Sequence, residues 1–261
     1  MAETYQENLN VQKEYYERTA ASYDEWHVLP KSALIVHAWN VENLKRFVGN
    51  QPVERCLDLG CGTGRFADAL LSLSPSVYGV DASESLLALA RERYPALHLA
   101  LGEVTHLPYE DGFFDLVVVN GALHHFFALE ATCREVARVL KPGGIFAILG
   151  EPNKAYNKMD PFWYSFIAYQ AVRKIVSLFR KPVMSEEIEP DAEVFAPARM
   201  RHALEQSGLV LEQFYSYDYG PRMTNQWFLN HYARFLALEH RTLARWFPLK
   251  GMALQAFCRK K

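Results

Sequence analysis

The sequence predicts a doubly wound α/β fold, a parallel sheet with helices on both faces. Three observations lead there. Short apolar runs alternate with helix-patterned segments between Glu54 and Glu151, a glycine-rich turn joins the first run to a helix, and an acid closes each of the first three runs. Runs rich in Val, Ile and Leu and separated by helices are the mark of strands buried on both faces. Right-handed crossovers then place helices on either side of the sheet.

Taken in order, residues 11–26 (VQKEYYERTAASYDEW) are charged, aromatic and mostly good helix formers, and predict one or two short amphipathic helices. Strands are expected at 55–59, 77–80, 97–101, 116–120 and 145–150, and helices at 65–73, 83–94 and 128–140. Pro142-Gly143-Gly144 reads as a turn that stops one helix and feeds the last central strand. Beyond Glu151 the alternation stops, and residues 153–197 are rich in aromatics, Lys, Arg and Pro. A helix follows at 198–207 with Gly208 as its C-terminal stop, then a strand at 209–215, an aromatic helix at 225–246 and a last strand at 252–257. The expected organisation is one domain, with a core of 50–152 and 197–261 and a helical cap drawn from 1–30, 153–196 and 220–248.

Composition narrows the function. The 261 residues carry 28 Lys and Arg against 30 Asp and Glu, a net charge of −2, and half are apolar. That is a globular chain without the basic excess of a dedicated nucleic-acid binder, so no nucleic acid is expected as partner. Cys56, Cys61, Cys133 and Cys258 form no C-x-x-C pair and read as buried thiols of a reducing compartment. The polar, acidic N-terminus is unlike a signal peptide, and no run of about 18 apolar residues suggests a spanning helix. A cytoplasmic protein is expected. No His, Cys and acid cluster has metal-ligand spacing, so no metal is expected either.

The most informative string is CLDLGCGTGRF, residues 56–66. Glycine at Gly60, Gly62 and Gly64 tolerates positive φ and lets a ligand approach the backbone, and the helix that follows offers unpaired N–H groups. Arg65 stands where the dinucleotide fingerprint needs its third glycine, and Asp58 would repel a pyrophosphate. Both features oppose an NAD-dependent oxidoreductase. Asp58 can pair with an amine instead. Asp81, seventeen positions after Gly64, is placed to accept from two ribose hydroxyls. Glu103 could accept from an exocyclic amine while the Val104 N–H meets a ring nitrogen. Acids suited to an ammonium, a ribose and an adenine, without a phosphate cradle, describe a nucleoside that carries an amino acid.

The strings LDLGCGTGRF, VYGVDAS, GEVTHLPYEDGFFDLVVVNGALHH and LKPGG, in that order, resemble the class I S-adenosylmethionine-dependent methyltransferases. The likeness is greatest to the small-molecule group related to ubiquinone and menaquinone methyltransferases. It covers roughly residues 15–151 strongly and the remainder weakly. It implies a Rossmann-like, mostly parallel sheet with an antiparallel final strand, and S-adenosyl-L-methionine as cofactor. Carried over residue by residue, it implies that Asp58, Gly60, Gly62 and Gly64 hold the methionine part, Asp81 the ribose, and Glu103 with Val104 the adenine. Asn120 and Gly121 would face the methionine. Glu103 stands where the family commonly has Asp. YYERTAASYD resembles the family's lid, with Tyr15 and Tyr23 as contacts over the cofactor.

Methyl transfer from a sulfonium is an in-line displacement in which the protein mainly orients the nucleophile and excludes water. A base helps when the acceptor is a hydroxyl. His124 and His125, after the fourth strand, are the candidates for that base, with helix capping or packing as the plainer role. His27, His106, His202, His231 and His240 are isolated and read as surface or packing residues. Residues 160–181, if helical, place Gln170, Arg173, Lys174, Ser177 and Lys181 on one stripe with aromatics elsewhere. Such a helix packs on the sheet with a solvated basic face, lines an acceptor pocket, or contacts anionic membrane. A second such stretch, 226–247, and the basic end Arg259-Lys260-Lys261 favour the last two. The function expected is methyl transfer to a small, lipophilic or aromatic acceptor, with oxygen favoured and carbon or nitrogen as alternatives. The rivals are a non-catalytic binding module and an enzyme acting on a membrane lipid.

Overall fold

The computed structural model describes residues 2–24, 31–155, 194–218, 226–242 and 249–261. The strands are β1 (Arg55–Leu59), β2 (Ser76–Asp81), β3 (His98–Leu101), β4 (Phe114–Asn120), β5 (Leu140–Pro152), β6 (Leu209–Tyr217) and β7 (Ala253–Lys260). The helices are α1 (Ala2–Thr19), α2 (Lys31–Val48), α3 (Ala67–Leu71), α4 (Glu84–Arg93), α5 (Leu129–Val139), α6 (Pro197–Gln206) and α7 (Gln226–Arg241).

One seven-stranded sheet runs in the order β3-β2-β1-β4-β5-β7-β6. The pairs among β1 to β5 are parallel, and β7 lies antiparallel to both β5 and β6. The doubly wound sheet with an antiparallel final strand is therefore as expected. Its central strands are apolar throughout because alternate side chains enter two different cores. Leu57, Leu59, Val117 and Val119 pack beneath Leu129, Cys133 and Val136 of α5 and Leu204 of α6. Cys56, Leu116 and Val118 pack beneath Leu44 and Val48 of α2 and Leu70 of α3. Each fully buried aliphatic side chain contributes about 1.5–3 kcal/mol of transfer free energy.

The main departures from the sequence pattern concern α1, α2, β5 and β7. α1 begins at Ala2 and continues into a short 3-10 turn at Ala20–Ser22, so the N-terminal segment holds one long helix. α2 was not anticipated; its outer residues include Lys, Arg and Glu, and its apolar face is completed by Tyr232 and Leu236 of α7, which pack with Ile35 and Trp39. β5 starts at Leu140, and the Pro142-Gly143-Gly144 turn becomes an irregularity within it, with Gly143 at φ 75° and a register shift opposite Phe114 and Leu116. β7 ends three residues later than expected because Arg259 and Lys260 continue the ladder with β6. The 160–181 helix, most of the 153–196 cap and residues 25–30, 219–225 and 243–248 lie outside the described residues.

Candidate functional site

The sheet order reverses between β1 and β4, and open α/β sheets bind ligands at the carboxyl ends of strands beside such a reversal. The glycine turn sits there. Gly60 and Cys61 donate to the Val80 carbonyl at 2.8 and 3.1 Å, which ties the turn to β2. Gly60 has φ 72°, and a side chain there would meet Phe126 and Ala122 at 3.0 and 3.1 Å. Gly62, at φ 52°, would meet nothing within 4 Å, so its bare backbone faces open space.

Two carboxylates flank the turn. Asp81 accepts from the N–H of Gly62 at 2.8 Å and of Ser83 at 3.0 Å. Burial raises its pKa, and these backbone donors oppose the rise. Asp58 is only 5% exposed, and among the described residues no donor reaches its carboxylate. Burial first, and then the Asp81 charge, push its carboxyl up to about 7. A buried acid in that state is an invitation to a cation.

The turn after β4 is held by an acid that sequence reasoning missed. Glu151 of β5 is fully buried and accepts from the N–H groups of Ala122, Leu123 and His124, each at 3.0 Å. It also pairs with His124 Nδ1 at 2.9 Å. The signal was present: Glu151 closes an apolar run at the same sheet edge as Asp58 and Asp81.

α1 covers the site and is fastened to it at several points. Gln12 Nε2 lies 3.3 Å from His125 Nδ1, and the Tyr16 hydroxyl 3.4 Å from His125 Nε2. The Glu17 carboxylate accepts from the hydroxyls of Ser83, at 2.9 Å, and Ser85. Asp24, just past the helix, accepts from Thr63 Oγ1 at 2.7 Å and pairs with Arg93 at 2.6 Å. Lys13 stands 3.8 Å from Glu103.

Beneath this cover lie two adjoining cavities, of about 780 and 980 Å³ including their open mouths. The first is lined by Asp81, Glu103, Val104, Tyr16, His125 and Phe126, among others. The second is lined by Asp58, Asn120, Thr63, Arg65, His37 and Asn40, among others. Tyr23, Gly60, Gly62, Gly121 and Ala122 line both. Asn120 is oriented by Asn40, whose Nδ2 donates to it at 3.0 Å, and Asn40 accepts in turn from the Tyr217 hydroxyl at 2.8 Å.

Ten of the thirteen expected site residues thus meet at these cavities. The other three are placed elsewhere. Tyr15 packs edge-on against Tyr16 at 5.2 Å, and it is Tyr16, one helical step on, that faces the cavity. Gly64 turns toward Tyr94, 3.0 Å from where its side chain would stand, so it serves close packing. His124 is engaged with Glu151. His125 does line the first cavity, but α1 takes up both of its ring nitrogens. Both histidines expected as base candidates thus have ring contacts to the groups that hold the turn or its cover.

Comparison with known proteins decides the family. A methyltransferase-domain family model matches residues 57–148. The chain is 32% identical over 199 residues to a 2-phytyl-1,4-naphtoquinone methyltransferase of Trichormus variabilis, covering 67% of this chain and 85% of that one. The chain belongs to the class I S-adenosylmethionine-dependent methyltransferases. A demethylmenaquinone methyltransferase of Symbiobacterium thermophilum is 31% identical over 179 residues, covering 64% of this chain and 68% of the relative. In fold, a SAM-dependent methyltransferase from Thermotoga maritima superposes with a TM-score of 0.61 at 18% identity, covering 96% of this chain and 100% of that one.

This methyltransferase uses S-adenosylmethionine, and the residues present fit that group. The cofactor brings a sulfonium and an ammonium to a place with two buried carboxylates, and a nucleoside to a backbone left bare at Gly62. Among the described residues of the methyltransferase no helix is long and apolar enough to cross a membrane.

Proposed function

We propose that the protein methylates a small, lipophilic aromatic acceptor of the phenol or quinol class, with hydroxyl oxygen favoured over ring carbon or nitrogen. The observation that carries this reading is the aromatic wall of the first cavity, to which Tyr16, Tyr23, Phe126 and Phe127 contribute, with Phe126 beside Gly60. Such a wall favours a flat, apolar guest. The two relatives, a 2-phytyl-1,4-naphtoquinone methyltransferase and a demethylmenaquinone methyltransferase, support a quinone-type acceptor.

In this reading Asp81 accepts from the ribose hydroxyls, and Glu103 with the Val104 N–H takes the adenine. Asp58, Gly60, Gly62, Asn120 and Gly121 hold the methionine end, while Tyr23 and Tyr16 close over it. S-Adenosylmethionine supplies an activated methyl group with a good leaving group. The chain's own residues bind and orient that donor and exclude water, and the aromatic wall aligns the acceptor. Anchorage of the enzyme at a membrane surface through 226–247 has less support, since the apolar residues Tyr232 and Leu236 of α7 face α2.

The test is a screen of reduced quinones, substituted phenols, sterols and phospholipids with S-adenosylmethionine, read as release of S-adenosylhomocysteine. Turnover concentrated among phenols and quinols is expected. Turnover confined to lipids, or tight cofactor binding with no turnover on any acceptor, would overturn the reading.

The Asp58 assignment sets a pH dependence. Its carboxyl sits at about 7 in the free protein, and an ammonium beside it favours the ionised form. Cofactor binding should therefore release a proton at pH 6 and none at pH 8.5. Affinity for S-adenosylhomocysteine should weaken as the pH falls through 7, by up to about tenfold per unit. Calorimetry in buffers of different ionisation heat measures both, and D58N should flatten the profile. A proton count of zero at pH 6 would show that Asp58 does not face the ammonium.

A further inference from the structure

The amino-acid end of S-adenosylmethionine carries a carboxylate as well as an ammonium, and the second cavity offers a group for each. Among the described residues that line it, Asp58 carries the one carboxylate and Arg65 the one guanidinium. The two do not neutralise each other, since no described donor reaches Asp58 and the charge acting on it is that of Asp81. Arg65 is steadied by α2, with Nη2 donating to the Ala33 carbonyl at 3.2 Å. Burial lowers its pKa, the mark of a cation kept from water, while Tyr23 and Asp24 act the other way. Asp24 is itself bound by Arg93 at 2.6 Å and by the Thr63 hydroxyl at 2.7 Å. A guanidinium holds five N–H donors in a flat fork that matches the two oxygens of a carboxylate.

His37 entered no sequence argument, yet it lines the same cavity. α2 presents Ala33, Val36, His37 and Asn40 there at i, i+3, i+4 and i+7. The His37 ring lies edge-on to Phe66, with centroids 5.2 Å apart. Its Nδ1 is shut away from solvent and has no hydrogen-bond partner. A proton on Nδ1 would be a stranded donor, so the neutral ring carries its proton on Nε2 and meets the cavity as a donor. Burial first, and then the Arg65 charge, disfavour the imidazolium, while Asp68 acts the other way.

We infer that Arg65 and His37 form a subsite for the carboxylate of the cofactor's amino acid, alongside the place Asp58 gives its ammonium. The inference rests on the assignment of Asp58 to the methionine end made above. The second cavity then reads both charges of a zwitterion, and it selects the intact cofactor over a nucleoside that carries an amine alone. Arg65, the residue that sets this glycine turn apart from a dinucleotide site, has its use here. The His37 ring stays neutral throughout, so the proton released at Asp58 is not masked by uptake at the imidazole.

The test is calorimetry at pH 8.5, where Asp58 is ionised. The ligands are S-adenosylhomocysteine, a descarboxy analogue that keeps the amine, and a desamino analogue that keeps the carboxylate. Wild type should bind the descarboxy analogue about 10–100-fold more weakly than S-adenosylhomocysteine. R65Q should weaken S-adenosylhomocysteine and the desamino analogue by about that factor, and leave the descarboxy analogue within about threefold. R65K, which keeps the charge without the fork, should recover part of the loss. H37F keeps the bulk of the ring and should cost about 3–10-fold in the same selective pattern, with H37Q, still a donor, costing less. D58N should show the converse, weakening the two ligands with an amine and sparing the desamino analogue. A descarboxy analogue that wild type binds within about threefold of S-adenosylhomocysteine would overturn the inference without any substitution and leave Asp58 in place. So would an R65Q that weakens all three ligands alike, which would make Arg65 a support of the turn. A D58N that weakens all three alike would remove Asp58 from the ammonium, and the inference would fall with that assignment.

Discussion

Replacing Asp81 with alanine should cost the enzyme its cofactor. If Asp81 holds the ribose, the substitution removes two charge-assisted hydrogen bonds, each contributing about 1.5–3 kcal/mol. The same carboxylate receives the Gly62 and Ser83 N–H groups, so its loss also slackens the turn on which the rest of the nucleoside would lie. Together these should weaken binding of S-adenosylhomocysteine by about 100-fold or more, at roughly tenfold per 1.4 kcal/mol. D81N should fall between, because its amide keeps one accepting oxygen. Calorimetry gives the affinity, and a melting curve without ligand separates a slack turn from an unfolded protein. A folded D81A that binds within about threefold of wild type would remove Asp81 from the site.

Glu151 should matter to the fold itself as much as to the chemistry. E151A would leave the N–H groups of Ala122, Leu123 and His124, and the His124 ring, facing a hole where a carboxylate had received them. Stranding buried donors in this way costs about 1–3 kcal/mol each at the upper end of relaxation, and breaking a buried charged network about 3–5 kcal/mol in all. Since the turn supplies Gly121 and Ala122 to both cavities, turnover should be lost together with stability. E151Q keeps the shape and one accepting oxygen and should recover part of both. Denaturant unfolding reads the stability, and a loss below about 1 kcal/mol for E151A would show that the turn holds without its anchor.

Much of this site was legible because strand ends leave signatures. Asp58, Asp81 and Glu103 each close an apolar run, and the glycines mark a turn that side chains would obstruct. Spacing alone therefore brought them to one edge of the sheet. Glu151 carries the same mark and was passed over because its run was read only as the last central strand. The helical residues were less legible. Tyr15 and Tyr16 are adjacent and chemically alike, and only the phase of α1 decides which one faces the cavity. His37 belongs to a helix with apolar residues on two sides, one against the sheet and one against α7, so no clean stripe announced it. The partners of His124 and His125 come from residues more than twenty positions away in each case, a pairing that no local pattern encodes.

The fastening of α1 bears on how quickly the enzyme can work. Its side chains grip Ser83, Thr63 is tied to Asp24 just beyond it, and His125 is clasped from the same helix. If donor and spent nucleoside pass beneath α1, those clasps must part at every turnover, and the frequency of their parting then caps throughput, whatever the speed of the bond-making beneath.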